Sequence, residues 1–261
     1  MALYTISDLH LSVAAGKPMD IFGAQWHDHA NLLRENWLRV VRPEDTVVLA
    51  GDHSRGLKEA EFVPDLQFIK ALPGRKRLTK GNHDLWRATA SKLRKLAEQY
   101  CPDTITFMQG NAIILNRGTD SASENLNMGT DPAPENEGLI ICATRGWNCP
   151  EDSGFVPEVD GPIYRRETMR LSAAIEAAQR LRRASGCEGA EIIVFMHFPP
   201  FGSSCRPTGF TQILEDNGIR RCFYGHLHGV RPDEAPVFDS GQCRYALVSS
   251  DHLGFTPLLI N

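Results

Sequence analysis

The chain has no Cys-x-x-Cys pair, no apolar run long enough to cross a bilayer and no excess of positive charge. Each absence closes off a class of protein. Seven cysteines are scattered from Cys101 to Cys243, and an odd count with so wide a spread argues against both a disulfide framework and a zinc knuckle. A reducing cytoplasm is the natural setting. A formal net charge of -4 gives no basic footprint of the kind that nucleic-acid binding needs, so a phosphate-bearing substrate has to be attracted locally. The N-terminal stretch MALYTISDLH has no basic region followed by an apolar core, so neither export nor membrane insertion is expected. No internal repeat is visible. What remains is ordinary for a folded protein: 261 residues, 42% hydrophobic and 23% charged, enough to bury a sizeable core within one domain.

Short apolar or β-branched runs recur, each ending in a polar cluster: LYTIS before DLH, TVVLA before GDH, KRLTK before GNHD, EIIVFM before HFPP and RCFY before GHLH. These read as strands. Between them lie stretches of helical spacing, Leu33, Trp37, Val40 and Val41 in one, and Leu171, Ile175, Ala178 and Leu181 within about 164 to 185 in another. Strands alternating with helices predict an α/β architecture, and continuously apolar strands predict sheets covered on both faces. The segment at 117–138 is polar, rich in Gly, Pro, Ser and Asn, and without periodicity. It reads as a loop inserted between the strands NAIIL and LIICA, either dispensable or a lid over the site.

The residues that end these runs are Asp8 and His10, Asp52, Asn82 with His83 and Asp84, His197, and His226 and His228. All are metal-ligand or acid/base types. In an α/β sheet the C-terminal strand ends lie along one edge, where ligands bind, so five distant segments are expected to meet. Imidazoles mixed with carboxylate and amide oxygen suit Mn²⁺, Fe or Zn²⁺ better than Mg²⁺ or Ca²⁺. The ligands are too many for one tetrahedral ion; two ions sharing a bridging carboxylate would use them all and leave room for water and substrate.

The ordered series Asp-x-His, Gly-Asp, Gly-Asn-His-Asp, His, Gly-His-x-His, spanning residues 8 to 228, resembles the calcineurin-like metallophosphoesterase superfamily. TRGW at 144–147 and the MHFPPF block further resemble a bacterial branch of phosphohydrolases. The resemblance implies a two-sheet β-sandwich flanked by helices in four layers, αββα, with a dinuclear centre at one edge. It implies that Asp8, His10 and His228 hold one ion, that Asn82, His197 and His226 hold the other, and that Asp52 bridges them. His53 stands where the family usually has an apolar residue, as a packing variant or an outer-shell group. Arg55 comes one residue early for the Ser/Thr phosphatases of the superfamily, and the later block ends in Asp84.

On this reading the chain is a phosphoesterase acting on a small-molecule or nucleotide phosphoester through a metal-bridging hydroxide, either a diesterase or a monoesterase. A non-catalytic scaffold and a protein phosphatase are the alternatives. His83 is expected to protonate the leaving oxygen, with Asp84 orienting its ring. Arg145, after LIICA, is either a phosphate fork or a solvated loop arginine.

Overall fold

The computed structural model describes residues 1–84, 89–108, 110–115, 138–235 and 242–260. In chain order the strands are β1 (Leu3–Ile6), β2 (Thr46–Ala50), β3 (Arg75–Thr79), β4 (Ile105–Met108), β5 (Ala112–Leu115), β6 (Leu139–Thr144), β7 (Glu191–Met196), β8 (Arg221–Tyr224), β9 (Arg244–Leu247) and β10 (Leu258–Ile260). The helices are α1 (His29–Val40), α2 (Glu59–Ala71), α3 (Ala90–Tyr100), α4 (Pro157–Ala184) and α5 (Gly209–Asp216). One sheet has the order β10-β1-β2-β3-β4 and the other β5-β6-β7-β8-β9. Only the outer pairs β1/β10 and β5/β6 are antiparallel; every other pairing is parallel.

The sheets pack face to face through Val48, Ala50, Met108, Ile141, Ile193, Phe195 and Phe223. The outer face of the first sheet is covered by α1 and α2 through Leu33, Trp37, Phe62, Leu66 and Ile69. The second is covered by α4 and α5 through Leu171, Ile175, Phe210 and Leu214. The result is the αββα sandwich expected from the motifs. It also explains why TVVLA and LIICA read as unbroken apolar runs, since every residue of both segments is buried.

Helix α4 starts well before the periodic stretch that betrays it. Pro157 stands at its first turn, where a missing N–H costs nothing, and Gly161 and Pro162 mask the pattern that follows. Helix α5 is held by a reciprocal cap: the Thr208 hydroxyl accepts the Phe210 and Thr211 N–H groups, and the Thr211 hydroxyl accepts the Thr208 N–H. The polar segment at 117–138 lies outside the described residues except for Gly138 at its end. Among the described residues no helix is long and apolar enough to cross a membrane.

Candidate metal centre

Because β1, β2 and β3 are parallel, as are β6, β7 and β8, their C-terminal ends deliver Asp8, Asp52, Asn82, Arg145, His197 and His226 to the same rim. The backbone there is strained. Asp8, His10, Asp52 and His226 all adopt left-handed conformations, with φ of 59°, 43°, 53° and 73°, which non-glycine residues adopt only at a cost. The turns lean on one another: the Asp8 N–H donates to Gly51 O (2.9 Å), the His10 N–H to Asp52 O (3.0 Å) and the Gly225 N–H to His197 O (3.0 Å). The His226 N–H crosses between sheets to Asp8 Oδ2 (2.9 Å).

The glycines before Asp52, Asn82 and His226 are required sterically. A Cβ on Gly81 would collide with the Asp52 carboxylate, one on Gly225 with Ser7 Oγ and Asp8 Oδ2, and one on Gly51 would stand 2.5 Å from His197 Nδ1. The repeated Gly-ligand pairs are therefore a packing demand of two loops pressed together.

Two groups of ligand atoms result, each with its members within 4.8 Å of one another: Asp8, His10 and His228, and Asp8, Asp52 and His197. In the first, the Nε2 atoms of His10 and His228 converge to 3.1 Å. Asp8 Oδ1 stands 3.8 Å from the former and 3.6 Å from the latter, buried and without a hydrogen-bond partner. Two imidazole nitrogens aimed at one orphaned carboxylate oxygen are the donor set a cation takes, and the residues fit it. In the second, His197 Nε2 is 2.7 Å from Asn82 Oδ1 and 3.3 Å from Asp52 Oδ2. Asp52 Oδ2 also lies 3.8 Å from His10 Nε2, so its carboxylate stands between the groups. His226 adjoins the second cluster with its ring 5.2 Å from that of His197, and it packs on Phe198 at 4.1 Å.

Burial and neighbouring charge set the protonation states. Burial pushes His10 and His226 down to about 3, so both rings are neutral with a lone pair to give. Burial pushes Asp8 up. Burial acts the same way on Asp52, but the His197 charge and hydrogen bond outweigh it and hold that carboxyl well below the usual range. His197 mirrors this: against burial, Asp52 and Asp8 raise it to about 9. The rings are oriented from behind, since the His197 Nδ1–H donates to Ala50 O (3.1 Å) and the His228 Nδ1–H to Asp251 Oδ1 (2.9 Å), which turns each Nε2 toward the site.

Asp84 faces the backbone. Its carboxylate is fully buried and accepts backbone N–H groups from Asp52 (2.9 Å), His53 (2.9 Å) and Gly81 (2.8 Å), with Ser54 at 3.4 Å. It clips the β2 loop to the β3 loop, and these bonds spend both oxygens on the backbone, leaving the His83 ring to others. His83 is exposed, donates its N–H to Asp52 Oδ1 (2.8 Å), and stands edge-on to His10 at 5.4 Å. His53 is buried, its Nε2–H bonded to Thr79 O (2.8 Å), which is the packing role. Arg145 is neither free nor solvated: it pairs with buried Glu167 (3.1 Å) and lies over the Trp147 ring at 4.4 Å.

Sequence reasoning missed Asp251, which holds both the His228 ring and the Gly229 N–H (2.8 Å). It also missed Ser7 and Ser249, whose hydroxyls donate to Asp8 Oδ2. The Ser-Ser-Asp run at 249–251 carries no spacing signal; only its position after β9 would have flagged it.

The family model described as calcineurin-like phosphoesterase matches residues 1–152, more than half of the chain. A solved protein of unknown function from Aquifex aeolicus shares the fold, with a TM-score of 0.50 and 14% identity over 99% of this chain and 95% of its own. The phosphopantetheinyl hydrolase of Mycobacterium tuberculosis is a looser likeness, with a TM-score of 0.46 and 13% identity over 95% of this chain and 88% of its own. No curated protein matches the chain.

Proposed function

Starting from a chain that belongs to the calcineurin-like phosphoesterase family, and so from a metal-dependent phosphoester hydrolase in general, we propose a dinuclear enzyme acting on a small-molecule phosphoester in the cytoplasm. Asp8, His10 and His228 would hold one cation, Asn82, His197 and His226 the other, and Asp52 would serve both. The observation that carries this reading is the convergence of the His10 and His228 Nε2 atoms, 3.1 Å apart, on the partnerless Asp8 Oδ1, beside a second cluster that shares Asp8. When bound, Mn²⁺, Fe or Zn²⁺ ions supply a hydroxide near neutral pH and neutralise charge on the phosphoryl oxygens.

The chain's own residues do the rest. Neutral His10 and His226 present lone pairs, His197 and His228 are held through Nδ1–H with Nε2 toward the site, and Asp52 takes the His83 N–H so that the His83 ring stands at the open side of the site. That ring is placed to give a proton to the departing oxygen. The test is a panel assay of Mn²⁺-loaded protein against phosphodiesters and phosphomonoesters, with elemental analysis after desalting. We expect hydrolysis and close to two ions per chain. A ceiling of one ion with all ligands intact would end the dinuclear reading, and metal-loaded protein inert on every ester would end the enzymatic one.

A further inference from the structure

Beside the metal centre, between the end of β3 and the first half of α4, lies a cavity of about 480 Å³, within the range of small-molecule sites. Lys80, Thr89, Thr144, Arg145, Arg166 and Arg170 line it. The cavity adjoins the centre, because Lys80 precedes Gly81 and the Arg145 carbonyl accepts the His197 N–H (3.1 Å). At its back is Glu167, fully buried, whose Oε1 takes Arg170 Nη1 at 2.7 Å and Arg145 Nη2 at 3.1 Å, with Arg166 Nε at 3.7 Å.

Three guanidiniums on one carboxylate oxygen are more than Glu167 needs. Two positive charges remain in excess on that wall, and Arg166 and Arg170 are more than half exposed, at 55% and 53%. Arg145 is less exposed, at 18%, and still lines the cavity. Two solvent-facing guanidiniums beside a third, on a wall with two charges to spare, suit an oxyanion. The excess of two charges matches a phosphate group, which carries about -1.5 to -2 near neutral pH, better than a single carboxylate.

We propose that this cavity receives a second phosphate group of the substrate, away from the ester that is cut. The attachment to a substrate rests on the phosphoesterase reading; the anion site does not. Titrating EDTA-treated protein with inorganic phosphate at low salt, followed by calorimetry, should give saturable binding that weakens at least ~10-fold in an R166A/R170A variant. Acetate should bind at least ~10-fold more weakly than phosphate. No saturable phosphate binding, or binding untouched by the double substitution, would overturn the site; acetate binding equally well would overturn the phosphate class.

With Mn²⁺ restored, a sugar bisphosphate should compete with an aryl phosphate at least ~10-fold better than the matching monophosphate does, and the variant should lose that advantage. Equal competition would make the cavity a site for free phosphate and overturn the substrate assignment. Phosphate binding to the metal-free protein, together with no turnover of any ester, would count against the enzymatic reading alone.

Discussion

Replacing Asp84 by asparagine separates two jobs that a carboxylate beside His83 could have. In the structure one Asp84 oxygen accepts the Asp52 and Gly81 N–H groups and the other accepts that of His53, all at 2.8 to 2.9 Å inside a fully buried space. An asparagine must turn an NH₂ toward one of these sets. The less costly choice gives up the His53 contact, leaving a buried N–H facing a donor, and it also removes the charge that strengthens the remaining bonds. A hydrogen bond to a charged group is worth about 1.5 to 3 kcal/mol, and an unpaired buried donor costs a similar amount. A loss of about 3 kcal/mol is therefore expected. At roughly 2 to 4 °C per kcal/mol for a chain of this size, the EDTA-treated variant should melt about 6 to 12 °C lower than the EDTA-treated parent. Because the clipped loops carry Asp52 and Asn82, Mn²⁺ affinity should fall about 10- to 100-fold, as when an outer-shell partner of a metal ligand is removed. Calorimetric melting and Mn²⁺ titration read both effects. An unchanged melt, joined to a turnover defect that grows with the basicity of the leaving group, would refute the clip and return Asp84 to orienting His83.

His83→Ala should keep both metals and lose about 10²- to 10⁴-fold in turnover on an alkyl phosphoester but markedly less on its nitrophenyl analogue; equal losses would point to substrate positioning instead. Asp52→Asn should reduce metal content more than any other ligand change, because its carboxylate stands between both groups; a larger loss in His10→Ala would reverse the bridge assignment. His197 is raised from an ordinary 6.5 to about 9, so its contribution to the stability of EDTA-treated protein is fully present below pH 6.5 and is lost as pH rises through about 9. Melting temperature should fall across that window in the parent and stay flat in His197→Asn. Since an ion must displace that same proton, Mn²⁺ affinity should climb toward tenfold per pH unit over the window, with a proton released to buffer; affinity independent of pH would sink this account.

The rim was legible because most of the ligands follow a strand whose apolar run stops abruptly. TVVLA, EIIVFM and RCFY announce their own C-terminal ends, and parallel pairing does the rest. Strands β4, β9 and β10 were hidden because ITFM, RYAL and LLI are short, and their residues are buried to unequal degrees at or beside sheet edges. The placement of Asp84 was hidden for a different reason. Adjacency to His83 in sequence suggests a side-chain pair, whereas the turn after Gly81 directs the two side chains apart, one into the protein and one to solvent. Glu167 could not be singled out either, since a glutamate in a stretch of arginines on a helix reads as a solvated face until the tertiary structure buries it.

The first ligand group joins Asp8 to His228, and Asp251 holds the His228 ring from behind, so the residues proposed to share one ion lie more than two hundred residues apart along the chain. During synthesis the ribosome makes β1, β2 and β3 and their loops long before β8 emerges. Until the second sheet follows, no imidazole from it stands beside Asp8 and Asp52. The proposed ligand set is complete only once residues 226–251 have been made.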